Sequence, residues 1–388
     1  MSKFSRFLTY LLTALVAAAI TMGVVTYVWI LPMKTGSTKL ERLENVIDTF
    51  FIGESDKTAM EDAAAEAMVD SLGDRWSHYI SAENYAAYME QMNNSYVGVG
   101  MTVALREDNA GIDIQQVVSG GPAEEAGIRA GDILIRVDDQ SVAGLDLTAI
   151  RSLVLGDAGT RVKLTVLRYG QELEYTPTRR EFETPVATAE MLEEGLGLVT
   201  IANFNARCAD ETIAAIEELL SQGATALILD VRNNPGGYKD ELVKVLDYLL
   251  PEGLLFRSED YSGKIEEDFS DESCLDIPMV VLVNGESYSA AEFFAAALQE
   301  YGAATVVGQQ TCGKGYFQVT LQLGDGSAVG LSVGKYYTPK GVSLAGVGIT
   351  PDTVVEVDED TFYKIYTGTL EPEEDPQIQA AAGILKAA

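Results

Sequence analysis

Apolar positions fill the start of the chain almost without interruption from residue 7 to residue 33, with Lys3 and Arg6 before the run and Lys34, Lys39 and Arg42 after it. About 20 such residues suffice for one bilayer-crossing helix. The run exceeds the short apolar region of a secretory signal peptide, and no small-x-small cleavage site follows it convincingly. An uncleaved anchor over residues 1–34 is therefore expected. The flanking positive charges nearly balance; the usual behaviour of an N-terminal anchor then places residues 35–388 outside the cytoplasm, on a single-pass cell-membrane protein. Over residues 35–95 the spacing turns helical, as in Leu40, Leu43, Val46 and Ile47, then the alanine-rich stretch 60–72, then 85–92. Between 96 and 168 it changes to short β-rich runs broken by glycine, at 97–101, 112–118, 131–137 and 162–167, with helix-suited stretches at 122–127 and 147–154. After about residue 185, strands (197–201, 226–231, 278–283) alternate with helices (210–221, 240–250, 289–301). Further strands follow at 305–307, 317–323 and 328–338. That alternation predicts an α/β core over 169–357, a β-sheet with helices packed on it. An acidic stretch, 371–375, and a short apolar helix, 376–386, form a helical tail over 358–388.

Composition narrows the classes. With 388 residues, 47% hydrophobic and 22% charged, the chain is long enough for several domains with cores. A net charge of −32 repels phosphates, which argues against a nucleic-acid partner. The three cysteines, Cys208, Cys274 and Cys312, are too few and too scattered for a disulfide framework or a zinc site. Cys312 reads as a small buried hydrophobe more readily than as a redox-sensitive neighbour of a site. The apolar helices near each terminus fit a homodimer and intramolecular packing equally.

The candidate chemistry is a serine nucleophile with a lysine base. Lys314 sits between Gly313 and Gly315 and follows Ser289, in the run Ser287-Tyr288-Ser289-Ala290-Ala291-Glu292, by 25 positions. The chain has a single histidine, His78, so a Ser/His/Asp arrangement would depend on that residue alone; a surface or structural role suits it better. A lysine serves as a base only where burial lowers its affinity for protons, and flanking glycines permit the close packing this needs. Two other segments fall at strand ends. Residues 230–237 finish in Gly236-Gly237, whose N–H groups can face an oxyanion. Residues 283–289 open a helix, where unpaired N–H groups and the dipole favour negative charge. Taken singly, Ser289 suits a helix N-cap and Lys314 a solvated loop; their combination and spacing carry the functional reading. Asp230 and Arg232 are expected to hold the glycine loop.

The order of words over 96–168, a Gly98-Val99-Gly100-Met101 loop and then "GGPAEEAGIRAGDILIRVDD", resembles a PDZ domain. The resemblance implies that Gly98, Val99, Gly100 and Met101 receive a C-terminal carboxylate while the peptide adds as a strand. Over most of residues 60–355 the chain resembles the C-terminal processing peptidases, or tail-specific proteases, through "LGDRWSHYIS", "LILDVRNNPGG", "VLVNGESYSAAE", "GQQTCGKGYFQ" and "YYTPKGVSLAGVGITPD" in that order. This implies Ser289 as nucleophile, Lys314 as base, Gln318 as the residue orienting it, and Gly236 or Gly237 with Ala290 as the oxyanion hole. It implies no metal or cofactor. Expected partners are proteins or peptides with accessible C-terminal tails, and the resemblance implies a PDZ domain that gates the dyad. Tyr288 and Ala291 depart from the family's alanine and serine, and Cys312 from a common phenylalanine. Two other readings stay open: an inert PDZ scaffold that binds partner C-termini, for which Tyr288 speaks, and a hydrolase of non-peptide acyl compounds.

Overall fold

The protein is described by a computed structural model over residues 3–25, 38–106, 110–193 and 195–387. Its chain divides into two compact units, residues 1–75 and 76–388.

In the first unit, the helix Lys3–Val25 is long and apolar enough to cross a membrane. Its large side chains, such as Phe7, Leu12 and Leu15, are exposed. The rest of the expected anchor, residues 1–2 and 26–34, lies outside the described residues. The helix Lys39–Phe50 starts at a capping box in which Thr38 and Glu41 exchange hydrogen bonds. The helix Lys57–Asp70 starts at Asp56, whose carboxylate accepts from the Ala59 N–H. The third helix expected before residue 95, Ala82–Asn93, belongs to the second unit.

The α/β core of the second unit is built on a six-stranded sheet. Its order is Ala187–Glu193, Leu196–Ile201, Ala226–Asp230, Met279–Val283, Ala304–Gly308 and Thr353–Val354. The first pair is antiparallel and the rest parallel. Alternation along the strands sends Leu227, Leu229, Val281 and Val283 to one face and Ile228, Val280 and Leu282 to the other. The first face is covered by the helices Cys208–Ser221, Lys239–Leu249 and Ala290–Tyr301, and the second by Pro376–Ala387. Each such side chain contributes roughly 1.5–3 kcal/mol when fully buried. The C-terminal helix is thus a layer of the core. It is fastened by Arg232, which grips Asp230 through both oxygens and reaches Asp375 at 2.7 Å and Gln377 at 3.0 Å.

A second, antiparallel sheet joins His78–Ile80, Ala328–Tyr337, Gly253–Asp260 and Ile265–Ser270, with Tyr316–Gln322 also on Ala328–Tyr337. The hairpin Gly253–Asp260 and Ile265–Ser270 went unread in the sequence because its strands carry acidic residues such as Glu259, Glu266 and Asp268 in place of a clean apolar face.

The domain inserted ahead of this core has an antiparallel sheet of Met101–Leu105, Ile112–Val117, Ile133–Val137, Leu164–Arg168 and Gln171–Tyr175, with helices Pro122–Ala126 and Leu147–Val154. Ile112, Ile114, Leu134, Val137, Ile150, Leu164 and Val166 form its core. Ser95–Gly98 pairs with Arg180–Glu183, so one two-stranded ribbon carries the chain into the domain and out of it.

Candidate active site

Parallel strands direct their C-terminal ends to one edge of the sheet, and loops there gather binding groups. Three such loops hold the expected residues. After Ala226–Asp230 the chain turns through Asn233, at φ 58°, and Asn234 to Gly236 and Gly237. After Met279–Val283 it runs through Asn284 and Ser287 to Ser289 and the helix Ala290–Tyr301. After Ala304–Gly308 it passes Cys312 and Lys314 on the way to Tyr316–Gln322.

The first two loops are laced together. Asn233 N–H donates to Asn284 Oδ1, while Asn284 Nδ2 donates to Asn233 Oδ1. Ser287, fully buried, donates its hydroxyl to the Val231 carbonyl and accepts from the Asn284 N–H. Ser287 is thereby a structural fastener. Ser289, half-buried, adopts φ 60° and ψ −121°, a conformation costly for any residue with a Cβ. Gly236 abuts it: a Cβ added there would lie 2.7 Å from the Ser289 Cβ. Gly236 gives its N–H to Asn234 Oδ1 at 2.8 Å and lies against the Ala290 backbone at the first turn of the helix, where a Cβ added to it would be 2.8 Å from the Ala290 nitrogen.

One side chain joins the nucleophile loop to the lysine loop. Glu292, fully buried, accepts from the Ser289 N–H at 3.2 Å, the Lys314 N–H at 2.8 Å, the Gly313 N–H at 2.5 Å and the Thr311 hydroxyl at 2.6 Å. Burial pushes its carboxyl above the ordinary value in spite of these donors. The Lys314 amine lies 4.8 Å from the Trp76 ring centre and 5.9 Å from that of Tyr288, and the two rings lie 5.7 Å apart. Gly315 lets the lysine loop press against Ala345, where a Cβ would collide.

Gln318 stands four residues beyond Lys314, at a bulge between Phe317 and Gln318. Its amide donates to the Tyr316 carbonyl and the Ser332 hydroxyl. Cys312 is half-buried, Cys208 is buried and Cys274 is exposed, all as free thiols; burial pushes the Cys208 thiol up to about 12. His78 is exposed on its short strand.

Two residues escaped the sequence reading. Glu292 left a signal, since serine followed three positions later by glutamate is a capping-box pattern. Tyr336 left none beyond its place in "YYTPKG". It is 3% exposed and gives its hydroxyl to the Lys314 carbonyl.

In the inserted domain, Gly98 to Val103 forms one wall of a groove of about 550 Å³. Leu147, Ile150, Arg151 and Val154 form the other, and Leu134 lines it between them. Glu90, Tyr96 and Phe182 line it as well. A free strand edge facing a helix across an apolar cleft is the geometry for peptide addition.

An α/β core with a serine at a strained strand-to-helix turn, preceded by a β-domain with an apolar groove, defines a PDZ-bearing serine peptidase. The family model for peptidase family S41 matches residues 195–355, and that for the PDZ domain matches 114–168. The chain is 32% identical over 360 residues to the carboxy-terminal processing protease CtpA of Bacillus subtilis, covering 90% of this chain and 77% of that one. It is 32% identical over 330 residues to the carboxyl-terminal-processing protease of Synechocystis, covering 83% and 76%. The crystal structure of an S41 protease from Bacteroides fragilis shares the fold at a TM-score of 0.59 and 18% identity, over 94% of this chain and 96% of that one. The chain belongs to peptidase family S41, among its carboxy-terminal processing proteases, and is a serine-type endopeptidase.

Proposed function

We propose that this protein is a membrane-anchored endopeptidase that takes the C-terminal tail of a protein substrate in its PDZ groove and cleaves peptide bonds with Ser289 and Lys314. The observation that carries this reading is the Glu292 carboxylate, which holds the backbones of both residues at once. Neutral Lys314 takes the Ser289 proton as the serine oxygen attacks the peptide carbonyl. The tetrahedral oxyanion is met by the N–H groups of Gly237 and Ala290. The Lys314 ammonium returns the proton to the leaving amine, and water then repeats the cycle on the acyl-enzyme. Gln318 turns from Ser332 towards the lysine in the active arrangement. A tail in the groove shifts the population towards that arrangement, through the ribbon Ser95–Gly98 and Arg180–Glu183 that joins the domain to the core. The helix Lys3–Val25 supports the anchor, with the catalytic part outside the cytoplasm.

The test uses the full chain in detergent and an unfolded protein with an apolar C-terminus, with products read by mass spectrometry. Wild type is expected to cleave and Ser289→Ala and Lys314→Ala to be inert. Cleavage that survives either substitution would overturn the dyad.

A further inference from the structure

Tyr336 occupies a position the proposed reaction has not yet used. Its hydroxyl donates to the backbone carbonyl of Lys314, and its oxygen lies within hydrogen-bonding reach of the Ser289 side chain. The ring is immobilised: its centre lies 5.9 Å from that of Phe256 and 5.7 Å, edge-on, from that of Phe293, which follows Glu292 in the helix carrying the serine. Its own N–H donates to the Gly315 carbonyl at 3.3 Å. The phenol is therefore fixed at both ends, between the main chain of the base and the oxygen of the nucleophile.

A phenol has one proton to give. While Lys314 O takes it, the Tyr336 oxygen can only accept, so a hydrogen bond from Ser289 points the serine proton at Tyr336. When Lys314 removes that proton, the serine oxygen gains charge and becomes the stronger acceptor of the two. We propose that Tyr336 is a further catalytic residue, one that turns its O–H from the Lys314 carbonyl to the Ser289 oxygen as the serine is deprotonated and stabilises the attacking oxygen during acylation. The balance is simple: Lys314 gains the serine proton, a bond forms between Ser289 Oγ and the carbonyl carbon, and Tyr336 keeps its own proton throughout. Burial raises the phenol's value, so it stays protonated near neutral pH and always has a proton to share. The oxyanion hole is a separate device, since it meets the substrate oxygen while Tyr336 meets the enzyme's.

This inference rests on Ser289 and Lys314 acting as proposed, and its test separates the two. Full-length protein in detergent is assayed on an internally quenched peptide ending in an apolar tail, as wild type, Tyr336→Phe, Ser289→Ala, Lys314→Ala and Phe293→Leu. Loss of a hydrogen bond to a charged oxygen is expected to lower kcat roughly 10- to 100-fold in Tyr336→Phe, with KM within about twofold of wild type. Labelling of Ser289 by a fluorophosphonate is expected to slow by a similar factor. Phe293→Leu loosens the ring's packing but keeps the hydroxyl; it controls for destabilisation and is expected to retain far more of kcat at matched thermal stability. Inert Ser289→Ala and Lys314→Ala beside a Tyr336→Phe enzyme with near-wild-type kcat would overturn the role of Tyr336 alone. Equal losses in Tyr336→Phe and Phe293→Leu would overturn it too, by reducing it to packing. Turnover by Ser289→Ala or Lys314→Ala would overturn the dyad, and this inference with it.

Discussion

At the scale of single residues, Glu292 governs how the site is held. A carboxylate with four donors cannot be replaced by an amide without turning an N–H₂ towards at least one of them, and a buried donor left unmatched costs about 1–3 kcal/mol. Glu292→Gln is accordingly expected to lose at least about tenfold in kcat. Its stability carries a signed pH dependence. Burial raises the folded-state value above the ordinary 4.5, so in the window just above 4.5 the native state holds more protons than the unfolded chain. Stability from this group is present below 4.5 and is lost as pH rises through the folded value. Glutamine does not titrate, so the stability advantage of wild type over Glu292→Gln should be greatest near pH 4 and shrink as pH rises. Thermal melts of both proteins between pH 4 and 8 would check this; an advantage that grows with pH would contradict it. Ser289 and Lys314 each stand in a short local word, which is why the sequence alone could propose them. The bonds around them were not. Asn234 claims the Gly236 N–H from within the same loop, and Gln318 turns to Ser332 across a bulge. Both depend on register and side-chain direction, which residue types do not encode.

At the scale of elements, strands with continuous apolar runs were legible, such as Ala226–Asp230 and Met279–Val283, whereas the acidic hairpin over 253–270 was not. A sheet buried on both faces announces itself by composition; a partly solvated hairpin relies on pairing partners far along the chain. The C-terminal helix was readable as a helix but not as part of the core, because its attachment passes through Arg232 and Asp375. Asp375 also accepts from the N–H groups of Gln377 and Ile378 at the start of that helix. Asp375→Asn removes the charge facing a buried guanidinium and weakens the cap together. Since breaking a buried pair typically costs about 3–5 kcal/mol and Asp230 still partners Arg232, a loss of roughly 2–4 kcal/mol is expected. Urea denaturation would measure it; an unchanged midpoint would show that Asp230 alone satisfies the arginine.

At the scale of the whole molecule, the order of parts along the chain is apolar helix, helical segment, PDZ domain, peptidase core and capping helix. The sequence pattern suggested these parts because hydrophobic period and glycine punctuation change along the chain. The inserted domain extends one strand past residue 168, to Gln171–Tyr175, where alternating glutamates and apolar residues mark an edge strand. With residues 3–25 deleted, the protein is expected to move from the membrane pellet to the soluble fraction while keeping its turnover of a short peptide. Retention in the pellet after a carbonate wash would point to a second membrane contact.

The shared carboxylate has a consequence for the life of the chain before it is folded. Serine and lysine sit on segments that acquire a common support only when the helix Ala290–Tyr301 has docked and brought Glu292 beneath both. Until then Ser289 has no reason to hold its strained turn, and the Lys314 backbone has no fixed place beside it. If Ser289 and Lys314 act as proposed, the newly made chain passes through a form that cannot digest its neighbours, and the capacity to cut appears together with the core that restrains it.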